Sequence, residues 1–145
     1  MTRVHISLPV RDLQRSIDFY SQVLGRGPDK QRVEYANYRV DTPGLMLSLV
    51  VTDQARFGDT DLPQHFGFEL DSSVALEDWR NRIASTELPM RREDDVVCCY
   101  ARADKFWLSD PDGHQWEFWV RKADADSMHE PEARPVVIQQ KTSCC

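Results

Sequence analysis

Two histidines and one glutamate lie far apart in the sequence but in similar surroundings. His5, His65 and Glu117 each alternate with apolar neighbours, the period-two pattern of a strand with one buried face. All three are therefore expected on faces opposite the apolar residues. Two imidazoles and one carboxylate supply three metal ligands and leave coordination positions open, as in catalytic sites. The pattern predicts a mononuclear centre, and Fe(II), Zn, Mn, Co or Ni would each accept this ligand set.

The four cysteines form two adjacent pairs, Cys98-Cys99 and Cys144-Cys145. A bridge between adjacent residues closes almost no loop, and neither pair has the CxxC spacing of a structural zinc site. Neighbouring residues of a regular strand point to opposite faces. Both sulfurs of Cys98-Cys99 therefore reach one ligand only from a loop or a distorted strand end, and we expect a mobile loop there. Arg102 and Lys105 are the nearby cations expected to favour the thiolates.

The elements that position these residues recur along the chain. A helix is predicted between Asp12, an N-cap, and Gly25, a C-terminal stop, after the strand that carries His5. His65 follows His5 by 60 residues, and at the same offset Ser72 takes the place of Asp12. The simplest interpretation is two copies of one strand-helix-strands unit. The second copy is predicted to contain a helix and three strands: Val74–Glu87, Met90–Asp94, Tyr100–Leu108 and His114–Arg121.

Length and pattern together predict one α+β domain in this 145-residue chain. Its two modules cover about 1–52 and 64–121, joined by a polar linker over 53–63. They are expected to form a curved mixed sheet around the metal. Residues 122–145 are polar, contain Cys144-Cys145 and are expected to be a largely flexible tail.

Charge and hydropathy exclude several classes of partner. The net charge of -6 opposes binding to a phosphate backbone, so nucleic acid is not an expected partner. The longest apolar stretch, Leu45–Val51, is far shorter than the roughly 20 residues that cross a bilayer. The N-terminus has no pattern of a secretory signal. We expect a cytoplasmic protein with reduced thiols.

The run Asp110-Pro-Asp-Gly-His-Gln-Trp-Glu117, together with His5 and His65, resembles the vicinal oxygen chelate superfamily, which includes glyoxalase I and extradiol dioxygenases. Two strand-helix-three-strand modules curl around a metal in that superfamily. Cys98-Cys99-Tyr-Ala101, followed by Asp104-Lys105-x-Trp107, is similar more specifically to its carbon-arsenic lyases and to the related cadmium-induced proteins.

This resemblance implies a reaction. In those lyases, non-haem iron is held by residues that match His5, His65 and Glu117, and a vicinal pair that matches Cys98 and Cys99 binds trivalent arsenic. Dioxygen is consumed as the carbon-arsenic bond breaks and arsenite is released. Such a chain would act on small organoarsenicals, methyl or aromatic, as a monomer or as a homodimer that completes the cavity.

Two other functions are compatible with the same residues, and a third, a drug-binding resistance protein with no metal, would not need the two histidines and the glutamate. One is a non-catalytic thiol protein that sequesters cadmium or arsenite through its cysteine pairs. The other is a different enzyme of the superfamily, such as an isomerase that uses Zn, Mn or Ni, which would leave Cys98-Cys99 without a role.

Overall fold

The structure is a computed structural model that describes residues 2–53 and 65–130. It confirms the α+β class and the two repeated modules, each a strand, a helix and three further strands. The elements are β1 Val4–Val10, α1 Leu13–Leu24, β2 Lys30–Arg32, β3 Tyr35–Val40, β4 Leu45–Val51, β5 His65–Glu69, α2 Ser73–Ala84, β6 Arg91–Cys98, β7 Ala101–Ser109 and β8 Gln115–Asp124. The expected linker falls largely on residues 54–64, outside the described part of the chain.

Local side chains determine where each helix begins and ends. The Asp12 carboxylate accepts from a free amide of the first turn of α1, and Gly25 ends that helix with a φ of 67°. Both features confirm the prediction. The predicted second helix ended three residues too late, because the hydroxyls of Ser85 and Thr86 donate to carbonyls of the last turn of α2 and end the helix at Ala84.

The strands form two four-stranded mixed sheets with the same topology. Their orders are β1-β4-β3-β2 and β5-β8-β7-β6. The first and last strands of each module pair in parallel, β1 with β4 and β5 with β8, whereas the remaining pairs are antiparallel. Strand β8 continues to Asp124, beyond the predicted end at Arg121, because its last residues pair with the start of β7.

A single hydrophobic core joins the modules. One apolar face of each sheet packs in it, represented by Leu8 and Leu47 from the first sheet and by Phe106 and Phe118 from the second. Both helices contribute to the same core. The opposite faces of the sheets, which carry the polar residues, are therefore directed away from the shared core. Neither helix is long and apolar enough to cross a membrane.

A buried carboxylate in the turn before β8 ties the modules together. Asp110 accepts from the Tyr20 hydroxyl of α1 at 2.6 Å, and Tyr20 in turn accepts from the Trp116 indole at 3.0 Å. The backbone amides of Asp112 and His114 donate to the other Asp110 oxygen. The bond from the Gly113 amide to the Asp110 carbonyl confirms the predicted turn. The Asp-Pro-Asp-Gly segment therefore has a structural role.

Two opposing effects act on the Asp110 carboxyl. Burial raises its pKa, but hydrogen bonds from His114 and Tyr20 outweigh burial and hold the pKa below the ordinary value. Burial and the neighbouring Asp110 charge raise the pKa of Tyr20 well above 10.0, so Tyr20 stays a neutral donor. The ionised carboxylate is thus the form that stabilises this connection.

We predict that Asp110→Asn lowers the free energy of unfolding by about 1–3 kcal/mol at neutral pH, because the amide leaves buried donors without their acceptor. The pKa of Asp110 is lower in the folded than in the unfolded protein. Its contribution to the free energy of unfolding is therefore complete above the unfolded pKa, which is near 3.9, and is lost as the pH falls through the folded pKa. Urea unfolding at pH values from 7 to 3 should show that the free energies of unfolding of the wild type and of Asp110→Asn approach each other only at the acid end of this range. Asp124→Asn, at an exposed carboxylate, should change little. A constant difference across the range would contradict this assignment.

Candidate metal and thiol site

His65 and Glu117 lie next to each other on the polar face of the second sheet. Gly67 of β5 pairs with Glu117 of β8. His65 lies two residues before Gly67 on the same face of the sheet, so its side chain is next to that of Glu117. The His65 Nε2 atom is 3.4 Å from Glu117 Oε2, and both side chains are half-buried. Two ligands about 2.1 Å from one divalent ion at angles of 90–110° lie roughly 3.0–3.4 Å apart. The two side chains therefore fit one metal ion.

The close approach of β5 to β8 depends on Gly67. A Cβ atom there would lie 2.5 Å from the backbone oxygen of Glu117 and 3.1 Å from its Cβ. The first distance is far below van der Waals contact, and the neighbouring atom is backbone, which moves only with its strand. Glycine at this position thus permits the strand spacing that brings His65 to Glu117.

The other Glu117 oxygen has a different partner. Lys105, on β7, places its Nζ atom 2.9 Å from Glu117 Oε1 and 4.0 Å from Glu93 Oε2. The His65 ring contacts the Trp107 ring edge-on, with centroids 5.1 Å apart. The sequence prediction had assigned Lys105 to the thiols. In the structure it is a neighbour of the candidate metal ligand.

His5 lies on the first sheet in the equivalent position. Ser7 pairs with Ser48 as Gly67 pairs with Glu117, so Ser48 is the counterpart of Glu117. The His5 Nε2 atom is 3.3 Å from the Ser48 hydroxyl. Within residues 2–53 and 65–130, no three His, Cys, Asp or Glu side chains are grouped so that they could hold a metal ion. The chain thus brings two of the predicted ligands together, and the set of three stays a prediction.

Cys98 and Cys99 lie at the turn between β6 and β7. Cys98 ends β6, and Cys99 and Tyr100 have φ values of 53° and 62°, in the left-handed region. This conformation brings the two Sγ atoms to 3.3 Å from each other. The predicted departure from regular strand geometry at the cysteines is confirmed.

Residues after β8 support this turn. The Cys99 amide donates to the Met128 carbonyl at 2.8 Å, and the Ala125 amide donates to the Tyr100 carbonyl at 2.9 Å. The beginning of the segment expected to be a flexible tail is therefore hydrogen-bonded to the cysteine turn. Cys144 and Cys145 lie outside the described residues.

The cysteine turn and the His65–Glu117 pair lie at different positions along the strands of the second sheet. Cys98 pairs with Ala101 at the start of β7, and Trp107 pairs with Glu117. The six intervening steps correspond to roughly 20 Å of strand. Register shifts occur in that interval in both the β6–β7 and the β7–β8 ladders. Arg102, the cation closest to the turn in sequence, is 3.0 Å from the Asp95 carboxylate.

Comparison with known proteins defines the class of protein to which this chain belongs. Residues 2–118 match the Glyoxalase/Bleomycin resistance protein/Dioxygenase superfamily, and the chain is a member of that superfamily. A structure of a glyoxalase/bleomycin resistance protein/dioxygenase from Alicyclobacillus acidocaldarius superimposes with a TM-score of 0.66 at 20% identity, over 83% of this chain and 91% of that one. That likeness shows the fold alone.

Curated relatives are more informative. A probable trivalent organoarsenical cleaving enzyme from Bacillus subtilis is 36% identical over 145 residues, covering 100% of this chain and 91% of the relative. A trivalent organoarsenical cleaving enzyme from Thermomonospora curvata is 38% identical over 128 residues, covering 88% and 83%. The cadmium-induced protein CadI of Mycobacterium tuberculosis is 31% identical over 146 residues, covering 100% and 93%. Arsenical cleavage and a response to cadmium are thus the associations among these relatives.

We predict that Gly67→Ala pushes β5 away from β8, lowering stability by about 1–3 kcal/mol through overpacking. Co(II) binding, followed by calorimetry, should weaken in the same variant because His65 moves away from Glu117. The matched control is Gly27→Ala, where an added Cβ has no atom within 4 Å. Unchanged stability and unchanged metal binding in Gly67→Ala would refute the role given to this glycine.

Proposed function

We propose that this protein is an Fe(II)-dependent lyase that cleaves the carbon-arsenic bond of trivalent organoarsenicals and releases arsenite, with dioxygen as co-substrate. The observation that carries the proposal is the pair of adjacent cysteines at the β6–β7 turn, with Sγ atoms 3.3 Å apart. It occurs in a chain whose relatives include enzymes named for trivalent organoarsenical cleavage. The organic group of the substrate is methyl or aromatic.

The Cys98-Cys99 pair, in its reduced form, suits this substrate class. Trivalent arsenic is soft and thiophilic, and an arsenical with one carbon substituent has two exchangeable positions. Cys98 and Cys99, when reduced, place two sulfurs close enough for one arsenic atom to bridge them. The carbon substituent then points away from both sulfurs. Arsenic is thereby held by the residues that do not bind the metal, and the bond to be broken is left accessible.

The metal ligands in this proposal are His65, Glu117 and His5. The separation of 3.4 Å between His65 Nε2 and Glu117 Oε2 supports the first two, and a third ligand is needed to hold the ion. Bound Fe(II), with positions left open, would supply the activation of dioxygen for oxidative cleavage. Trp107, buried beside His65, helps to exclude water from this face.

His5 comes from a second copy of the chain in this proposal. Within one chain, the polar faces that carry His5 and His65 are directed away from the shared core. His5 and Ser48 form a half-site that lacks a carboxylate, and His65 and Glu117 form a half-site that lacks a third ligand. A twofold dimer that places each half-site against its complement completes two metal centres.

Delivery of arsenic to the metal then requires movement of the thiol turn. About 20 Å of strand separates the turn from Glu117. The register shifts between Glu93 and Val96 and between Arg102 and Ala103 mark the level at which the hairpin is least regular and is expected to bend. Closure of the hairpin would also shield the reacting bond from water.

A second candidate function is stoichiometric binding of cadmium or arsenite without turnover. The CadI relative, which matches the whole chain, favours it. The two functions differ in oxygen consumption, because sequestration by thiols needs none. Arsenite release from methylarsenite with and without dioxygen separates them.

We predict that Cys98→Ser and Cys99→Ser each abolish arsenite release while iron content stays at the wild-type level. The single remaining thiolate can fill only one of the two exchangeable positions on arsenic and therefore does not hold the substrate. Iron should be loaded anaerobically under reducing conditions and arsenite measured by chromatography with elemental detection. The double variant Cys144→Ser, Cys145→Ser tests the second pair in the same assay. Wild-type turnover in either Cys98→Ser or Cys99→Ser would refute the capture step.

We predict that His5→Ala and Glu117→Ala are each inactive and bind little iron, but that a co-refolded equal mixture recovers about a quarter of the wild-type iron and activity. In a twofold dimer with shared sites, half of the dimers are mixed, and each mixed dimer contains one intact centre. The single variants refolded alone are the controls. Recovery no greater than the sum of the single variants would show that His5 and Glu117 do not meet across two chains.

A further inference from the structure

Lys105 is a buried cation on the face that carries the candidate metal ligands. It is 3% exposed in β7, where an unpaired ammonium would be strongly destabilising. Its position therefore depends on the negative charges around it. Glu117 and Glu93 supply those charges, with oxygens 2.9 Å and 4.0 Å from Nζ.

The two oxygens of Glu117 consequently have different partners. Oε1 accepts a charge-assisted hydrogen bond from Lys105, and Oε2 faces His65 Nε2 at 3.4 Å. A carboxylate held in this way has a defined rotation about its last bond. A free carboxylate would instead be able to turn both oxygens toward one cation.

The packing around Lys105 restricts its movement. The buried Arg80 guanidinium of α2 donates to the Lys105 carbonyl at 2.9 Å and also pairs with Asp94 on β6. The Lys105 ammonium lies 5.5 Å from the centre of the Trp107 ring. The backbone of Lys105 is thus anchored from the helix side, while its side chain reaches the opposite face of the sheet.

We propose that Lys105 is a positioning residue that makes Glu117 a one-oxygen ligand and thereby keeps a coordination position free for an exogenous ligand. This inference rests on the proposed metal site. Without Lys105, Oε1 is released and Glu117 chelates the ion with both oxygens, which occupies that position. The cation also reduces the net negative charge that Glu93 and Glu117 place beside the metal.

The test uses the full chain loaded with Co(II) and titrated with azide, a small anionic ligand that requires a vacant position. Visible absorption reports the coordination number of Co(II) and the azide dissociation constant without any turnover. We expect Lys105→Met to bind azide at least about tenfold more weakly than the wild type. We also expect its d–d bands to weaken as the coordination number rises. Lys122→Met, at an exposed lysine paired with Asp95 and Asp104, should match the wild type.

Lys105→Gln separates positioning from a purely electrostatic role. Its amide retains an N–H donor for Oε1 without the charge, so positioning predicts azide binding within about threefold of the wild type. If far-UV circular dichroism shows that Lys105→Met does not fold, the Lys105→Gln result decides alone, and a tenfold loss there would overturn the proposal. Unchanged azide binding and spectra in a folded Lys105→Met would overturn it equally. Absence of Co(II) binding by the wild type would instead overturn the metal site itself, and Lys105 with it.

Discussion

The shared core is the constraint on which the site depends. Each sheet has one apolar face, and both apolar faces pack with both helices in a single cluster. Because side chains alternate along a strand, the polar residues of both modules must lie on the faces turned away from that cluster. His5 and the His65–Glu117 pair are therefore separated by the packing that stabilises the chain. The repeat that predicts three ligands therefore places one of these residues, His5, on the first sheet and the other two on the second.

The connection through Asp110 sets the position of the last strand relative to α1. Asp110 closes the turn before β8, and its bond to Tyr20 links that turn to the helix of the other module. Glu117 lies a few residues after this turn in β8. The hydrogen bonds of Asp110 therefore also determine which residue of β5 lies opposite Glu117. The Asp-Pro-Asp-Gly segment thus contributes to the site indirectly, through the register of β8.

Much of this arrangement could be predicted from sequence because it depends on local rules. The Asp12 and Gly25 helix signals, for example, act within one turn of chain. The proximity of His65 to Glu117 depends instead on the parallel pairing of β5 with β8, which is a long-range contact repeated from the first module. The location of His5 could not be predicted, since no local pattern tells which faces of two sheets meet. The role of Lys105 was also missed, because it depends on the register of β7 against β8, which shifts at Arg102.

The conformation of the cysteine turn is best understood as a compromise between stability and geometry. Left-handed residues in two-residue hairpins are usually glycine or asparagine, and a side chain such as that of Cys99 or Tyr100 costs of order 1–3 kcal/mol there. A regular strand would remove that cost but would place the Cys98 and Cys99 sulfurs on opposite faces. Hydrogen bonds from the segment after β8, at Met128 and Ala125, help to offset it. The proximity of the two sulfurs is therefore maintained by the surrounding structure, as expected if a single thiophilic atom must bridge them.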